Sequence, residues 1–228
     1  MQVTCVAVLV NIVLMAMQFV AGWISGSDAV LADGAHTLVD VLGDGIVAGA
    51  ICFDQAMRVG RAGKLTPMAI VLANLLVAAT GAELLIAGML PNDAQAAGAR
   101  PAVALAALAV SVASVAAKAG LFVYLRAAAA RANPYGGGTL ASALDANAWH
   151  ACADSVSSGV AAIGTAGMLA GVPALDRSGT ALIGALILMA GLQRNASALH
   201  SLFRRIARPG RRRSPARPGQ PEPTSSQV

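Results

Sequence analysis

Two His-x-x-x-Asp pairs carry the chemistry this sequence offers: His36 with Asp40, and His150 with Asp154. Residues four apart share one face of a helix, so each pair presents an imidazole beside a carboxylate. Brought together, the pairs supply two nitrogens and two carboxylates, a set that suits a tetrahedral divalent ion such as Zn²⁺. Such a set disfavours Mg²⁺ and Ca²⁺, which take more oxygens. Histidine binds metal only when neutral, so metal and protons compete for it. Imidazole titrates near working pH, which lets such an exchange run in both directions. A single pair in an apolar helix is explained as readily by an interhelical hydrogen bond. Two pairs in separate apolar segments, with further acids on the same faces, favour a metal site.

The segments holding these pairs are strongly apolar. Of 228 residues, 57% are hydrophobic and only 12% are charged, too apolar a balance for an ordinary soluble domain. The apolar residues come in blocks of about 20, enough to cross the hydrocarbon core as a helix. The short alternating segments of a barrel are missing. Six spans are expected, at residues 3–23, 29–53, 66–90, 101–126, 140–170 and 173–199. They make an all-α membrane protein, with the transport-sized helical domain over residues 1–206. The first span has no Lys or Arg before it and no small-residue cleavage site after it, so it reads as a retained helix.

Basic residues orient the bundle. Arg58, Arg61 and Lys64 follow span two, Arg126 and Arg131 follow span four, and Arg194, Arg204, Arg205, Arg208, Arg211, Arg212, Arg213 and Arg217 go with the end of span six, against only Arg100 and Arg177 on the opposite side. The positive-inside rule then places both termini in the cytoplasm. The net charge of +5 is a topology signal, and no nucleic-acid partner is expected; the surrounding partner is membrane lipid. Residues 207–228, rich in Pro, Arg and Ser, cannot build a core and are expected to be a disordered tail, in solvent or against anionic lipid.

Ionisable groups inside a membrane are expensive and usually functional. Asp33 and Asp44 fall on the face that carries His36 and Asp40, at offsets of three, seven and eleven from Asp33. Asp145, Asn147 and Ser157 accompany the second pair. These five are candidates for an access path or for bonds that support the ligands, with helix–helix bonding favoured for Asp33, Asp44 and Asp145. Glu83 and Lys118 are expected to pair with each other. Asp28, Asp93 and Asp176, at span ends, read as solvated or capping, and His200 as a surface residue. Asn11 and Asn74 read as packing residues. Cys5, Cys52 and Cys152 lack CxxC spacing or a disulfide framework and read as small buried hydrophobes. No nucleophile pairs with a base and no HExxH occurs, so neither enzymatic activity nor a resident cofactor is expected.

Residues 26–40 (GSDAVLADGAHTLVD) resemble the second-helix signature of the cation diffusion facilitator transporters. Residues 144–176 (LDANAWHACADSVSSGVAAIGTAGMLAGVPALD) resemble their fifth helix and the start of their sixth. The resemblance runs from about Val8 to Phe203. It implies export of a divalent metal from the cytoplasm by proton antiport, by a homodimer or a heterodimer with a related transporter. The family's central site maps onto His36, Asp40, His150 and Asp154, and this composition is similar to that of zinc-preferring members. Asn147–Trp149 and the Leu-His-Ser run at 199–201 resemble the iron-supplying magnetosome branch, so Fe²⁺ stands beside Zn²⁺ as cargo. The implied location is a bacterial inner membrane or a magnetosome membrane. The sequence departs from the family in three places, one of them a start that reads as clipped. An Arg/Pro tail stands where the family's soluble C-terminal domain would follow, which raises the alternative of a non-transporting partner of a full-length relative. The loop after span two is reduced to residues 58–65, which weighs against a second metal site there.

Overall fold

A computed structural model of the chain describes residues 2–56, 65–90, 101–132 and 139–207. These fold into α1 (Gln2–Ser25), α2 (Asp28–Ala56), α3 (Leu65–Met89), α4 (Pro101–Ala132), α5 (Thr139–Leu169) and α6 (Pro173–Ala207), with no strand among the described residues. The six helices coincide with the six expected spans. α1, α2, α3, α4 and α6 are long and apolar enough to cross a membrane. α5 has the length, 31 residues, but is less apolar because it carries Asp145, His150, Asp154 and four serines. Three of its polar side chains turn inward: Asp154, Ser157 and Ser158 are buried, whereas Val156 and Ile163 are exposed. That is the arrangement a polar helix needs among lipid-facing neighbours.

α4 and α6 run to Ala132 and Ala207, past the expected ends at Arg126 and Leu199. Their last turns are rich in Ala and Arg, which extend a helix readily after the apolar block stops. α4 at 32 residues is about 48 Å long, against roughly 30 Å of hydrocarbon. The expectations for residues 58–64, for Asp93 and for the tail from 208 lie outside the described residues.

α3 packs chiefly on α6 and α4 on α5, while α2 touches α1, α3, α5 and α6 and so holds the centre. The buried apolar residues are mostly alanines, which let helices approach closely where no water drives them together. The α3–α6 crossing is the extreme case. A Cβ on Gly81 would lie 2.3 Å from the Leu188 backbone nitrogen, and one on Gly184 would lie 2.3 Å from that of Leu85.

The α1–α2 connection is the tight hairpin expected from its length. Gly26 takes φ +69°, a conformation that glycine adopts without strain. The Ser27 hydroxyl then caps α2 by accepting from Val30 N–H at 3.3 Å. Of the two readings for Asp176, solvated or capping, the structure shows capping, with the residue fully buried. Its carboxylate caps α2 rather than its own helix, accepting from the Ser27 hydroxyl at 2.6 Å and from Asp28 N–H at 2.8 Å. Cys52 is exposed and Cys152 half-buried, so neither is the buried hydrophobe expected; His200 is exposed as expected.

Candidate metal centre

α2 delivers His36 and Asp40, one turn apart, and α5 delivers His150 and Asp154 in the same way. The contact between these two helices closes the four side chains into a ring in which imidazole and carboxylate alternate. His36 Nε2 lies 3.4 Å from Asp40 Oδ2 and 3.3 Å from Asp154 Oδ1. His150 Nε2 lies 3.4 Å from Asp40 Oδ2 and 3.7 Å from Asp154 Oδ2. One donor atom each from His36, Asp40 and Asp154 falls within a 4.8 Å set compatible with a cation, while His150 stands outside that set. Asp40 Oδ2 and His36 Nδ1 are buried without a hydrogen-bond partner. A buried carboxylate oxygen left in that state is costly, and a cation between the four groups would satisfy it.

Arg194 of α6, read from the sequence only as one of the basic residues that orient the bundle, meets the ring from outside. Its Nη2 lies 2.9 Å from His150 Nδ1. Guanidinium only donates, so Nδ1 is the acceptor and a neutral His150 carries its proton on Nε2, facing the carboxylates. Ligation through Nε2 would need the other tautomer, which the Arg194 contact opposes.

Asp44 and Asn147, with Asn11, line a cavity of about 50 Å³ that reaches Asp40, His150 and Asp154. A second cavity of about 270 Å³ between α5 and α6 touches His36, His150, Asp154, Ser157 and Arg194. Asp145 stays away from the ring and pairs with Arg126 at 3.4 Å, both about half exposed. The guanidinium of Arg126 also lies over the rings of Phe122 and Trp149.

Asp33 and Ser157 belong to a separate polar cluster on the other side of the ring. Asp33, 1% exposed, accepts from Ser157 at 2.8 Å, from Ser158 at 2.5 Å and from the Gln18 amide. Lys118 Nζ completes it at 3.2 Å from Asp33 Oδ1 and 2.8 Å from Ser158 Oγ. The expected Glu83–Lys118 pair does not form. α3 and α4 share no substantial contact, Glu83 is exposed, and Lys118 is buried toward α2 and α5. The intramembrane Lys was visible in the sequence; its partner was not, because helix adjacency decides it.

The cation efflux transmembrane domain family matches residues 4–203 of the chain, a stretch that takes in all six helices. Among curated proteins none matches.

Proposed function

The chain belongs to the cation efflux family of divalent-metal transporters, and on that premise we propose that it exchanges Zn²⁺ for protons through His36, Asp40, His150 and Asp154. It is a multi-pass membrane protein and a secondary transporter rather than an enzyme. The observation that carries the proposed site is Asp40 Oδ2, 3.4 Å from each of two imidazoles and without a hydrogen-bond partner. Two nitrogens and two carboxylates from two helices fit a tetrahedral ion. Neutral imidazoles bind metal and protonated ones do not, so protons arriving from the far side displace the ion.

The basic loops favour cytoplasmic termini, with the transport domain over 1–206 and the basic tail over 207–228. In that orientation Asp44 and Asn147 lie on the cytoplasmic side of the ring, which makes their cavity the route of loading. The Asp33–Lys118 cluster fills the opposite side. Members of the family typically work as dimers, and a homodimer or a pair with a relative is the assembly proposed. The membrane is a bacterial inner membrane, or a magnetosome membrane if the cargo is iron.

Transport of Zn²⁺ into proteoliposomes by the purified chain tests the proposal. The His36→Ala/Asp154→Ala variant is expected to abolish uptake; uptake that survives it sinks the assigned site. Fe²⁺ in place of Zn²⁺ as the co-purifying metal overturns the zinc assignment. Flux by the chain alone removes the partner-subunit alternative.

A further inference from the structure

The Asp33 cluster holds a positive charge that proton-for-metal exchange does not explain. Lys118 is 1% exposed, and an ammonium so placed is stable only when paired and bonded. Its Nζ lies 3.2 and 3.4 Å from the two Asp33 oxygens, 3.4 Å from Thr37 Oγ1 and 2.8 Å from Ser158 Oγ. Four oxygens from α2 and α5 thus surround a cation that α4 supplies on a tether. The cluster also adjoins the ring through the backbone. Asp33 is one turn from His36, and the Ser157 hydroxyl contacts both Asp33 Oδ1 at 2.8 Å and the Asp154 carbonyl at 2.9 Å.

The charges in this buried region are three carboxylates (Asp33, Asp40 and Asp154) and one ammonium. With neutral imidazoles the sum is −2, the complement of one divalent cation. Asp44 and Arg194 at the margin carry opposite charges, and both are exposed. We propose that Lys118 is a fixed counter-cation that sets the charge of the buried site to match one divalent ion, so that loading neutralises it and release remains easy. The inference rests on the proposed metal site. Without Lys118 the empty region carries −3 and grips the ion. Without Asp33 the ammonium loses its counter-charge and repels it. At an effective dielectric of about 20, a unit charge about one helical turn from a divalent ion shifts its affinity by well over tenfold.

The experiment measures Zn²⁺ affinity of the full detergent-solubilised chain by competition with a chromophoric chelator, beside Zn²⁺ turnover in proteoliposomes. Lys118→Met is expected to bind at least about tenfold more tightly and to turn over more slowly at saturating Zn²⁺. Asp33→Asn is expected to bind at least about tenfold more weakly. The Asp33→Asn/Lys118→Met double variant is expected to return toward wild-type affinity. A purely structural cluster would shift both single variants in one direction through lost folding, or neither. Either result, with wild-type binding intact, overturns the inference and leaves the metal site standing. A wild-type chain that binds no Zn²⁺ overturns both. Should Lys118→Met fail to fold, Lys118→Gln carries the same change of charge with a polar side chain that can still bond Asp33.

Discussion

His150 is held from two sides, by Arg194 at Nδ1 and by the two carboxylates at Nε2. Removing Arg194 frees the Nε2 lone pair and deletes a positive charge, so both effects favour the metal. Arg194→Ala is expected to tighten Zn²⁺ binding by about 3–10-fold, the exposed contact being weaker than a buried charged hydrogen bond; unchanged or weaker binding in chelator competition would show that Arg194 does not hold the ring. Asp40→Asn keeps the shape of the ring but removes the unpartnered charge. Its loss of affinity should exceed the roughly 10–100-fold that loss of a supporting partner costs. Because protons compete for the imidazoles, Zn²⁺ affinity should fall as pH falls, and Zn²⁺ added to weakly buffered protein should release protons that an indicator dye registers. The ligand pairs were legible because an i, i+4 spacing in an apolar block needs no knowledge of the neighbours. Arg194 and the true partner of Lys118 were not, since their contacts depend on which helices lie side by side.

At the scale of elements, the blocks of apolar residues located every helix, and even α5 was recognisable despite its acids and serines. The pairing of α3 with α6 was hidden, because α3 is apolar on all sides and no stripe marks its mating face. What marks it is Gly81 and Gly184, visible as glycines but not as a pair until the backbones meet. Gly184→Leu would force backbone against backbone at this crossing, and loss of the monodisperse protein on size exclusion is expected. Asp176 makes a different prediction. Its carboxylate satisfies N–H groups in the first turn of α2 that have no partner within the helix from 148 residues away in sequence, which no local capping pattern reveals. Asp176→Ala should cost about 2 kcal/mol or more, since a cap and buried bonds are lost together. A lower thermal midpoint with Zn²⁺ affinity kept within about threefold checks it, for the cap lies about two turns from His36.

For the whole molecule the question is which side the site faces. The cavity lined by Asn11, Asp44 and Asn147 ends at His150 and Asp154, whereas the other side is occupied by Gln18, Asp33, Lys118, Ser157 and Ser158. A transporter must expose its site to each side in turn; here a small cavity reaches the ring past Asp44 and Asn147 and a larger one reaches it between α5 and α6, while a polar cluster tying four helices lies beyond it. The basic loops could be read for orientation from sequence, but not which end of the bundle was open, since that depends on how α1, α2, α4 and α5 lean on one another. Single cysteines in a background with Cys5, Cys52 and Cys152 replaced by alanine separate the cases. With a membrane-impermeant maleimide, Asn147→Cys should label in inside-out vesicles and Ser178→Cys, exposed at the start of α6, should label in right-side-out ones. Zn²⁺ should slow labelling at Asn147 and leave Ser178 unaffected, because the ion draws the ends of α2 and α5 together over the cavity. Labelling of Asn147→Cys from the opposite face would overturn the orientation, and with it the assignment of that cavity as the loading route.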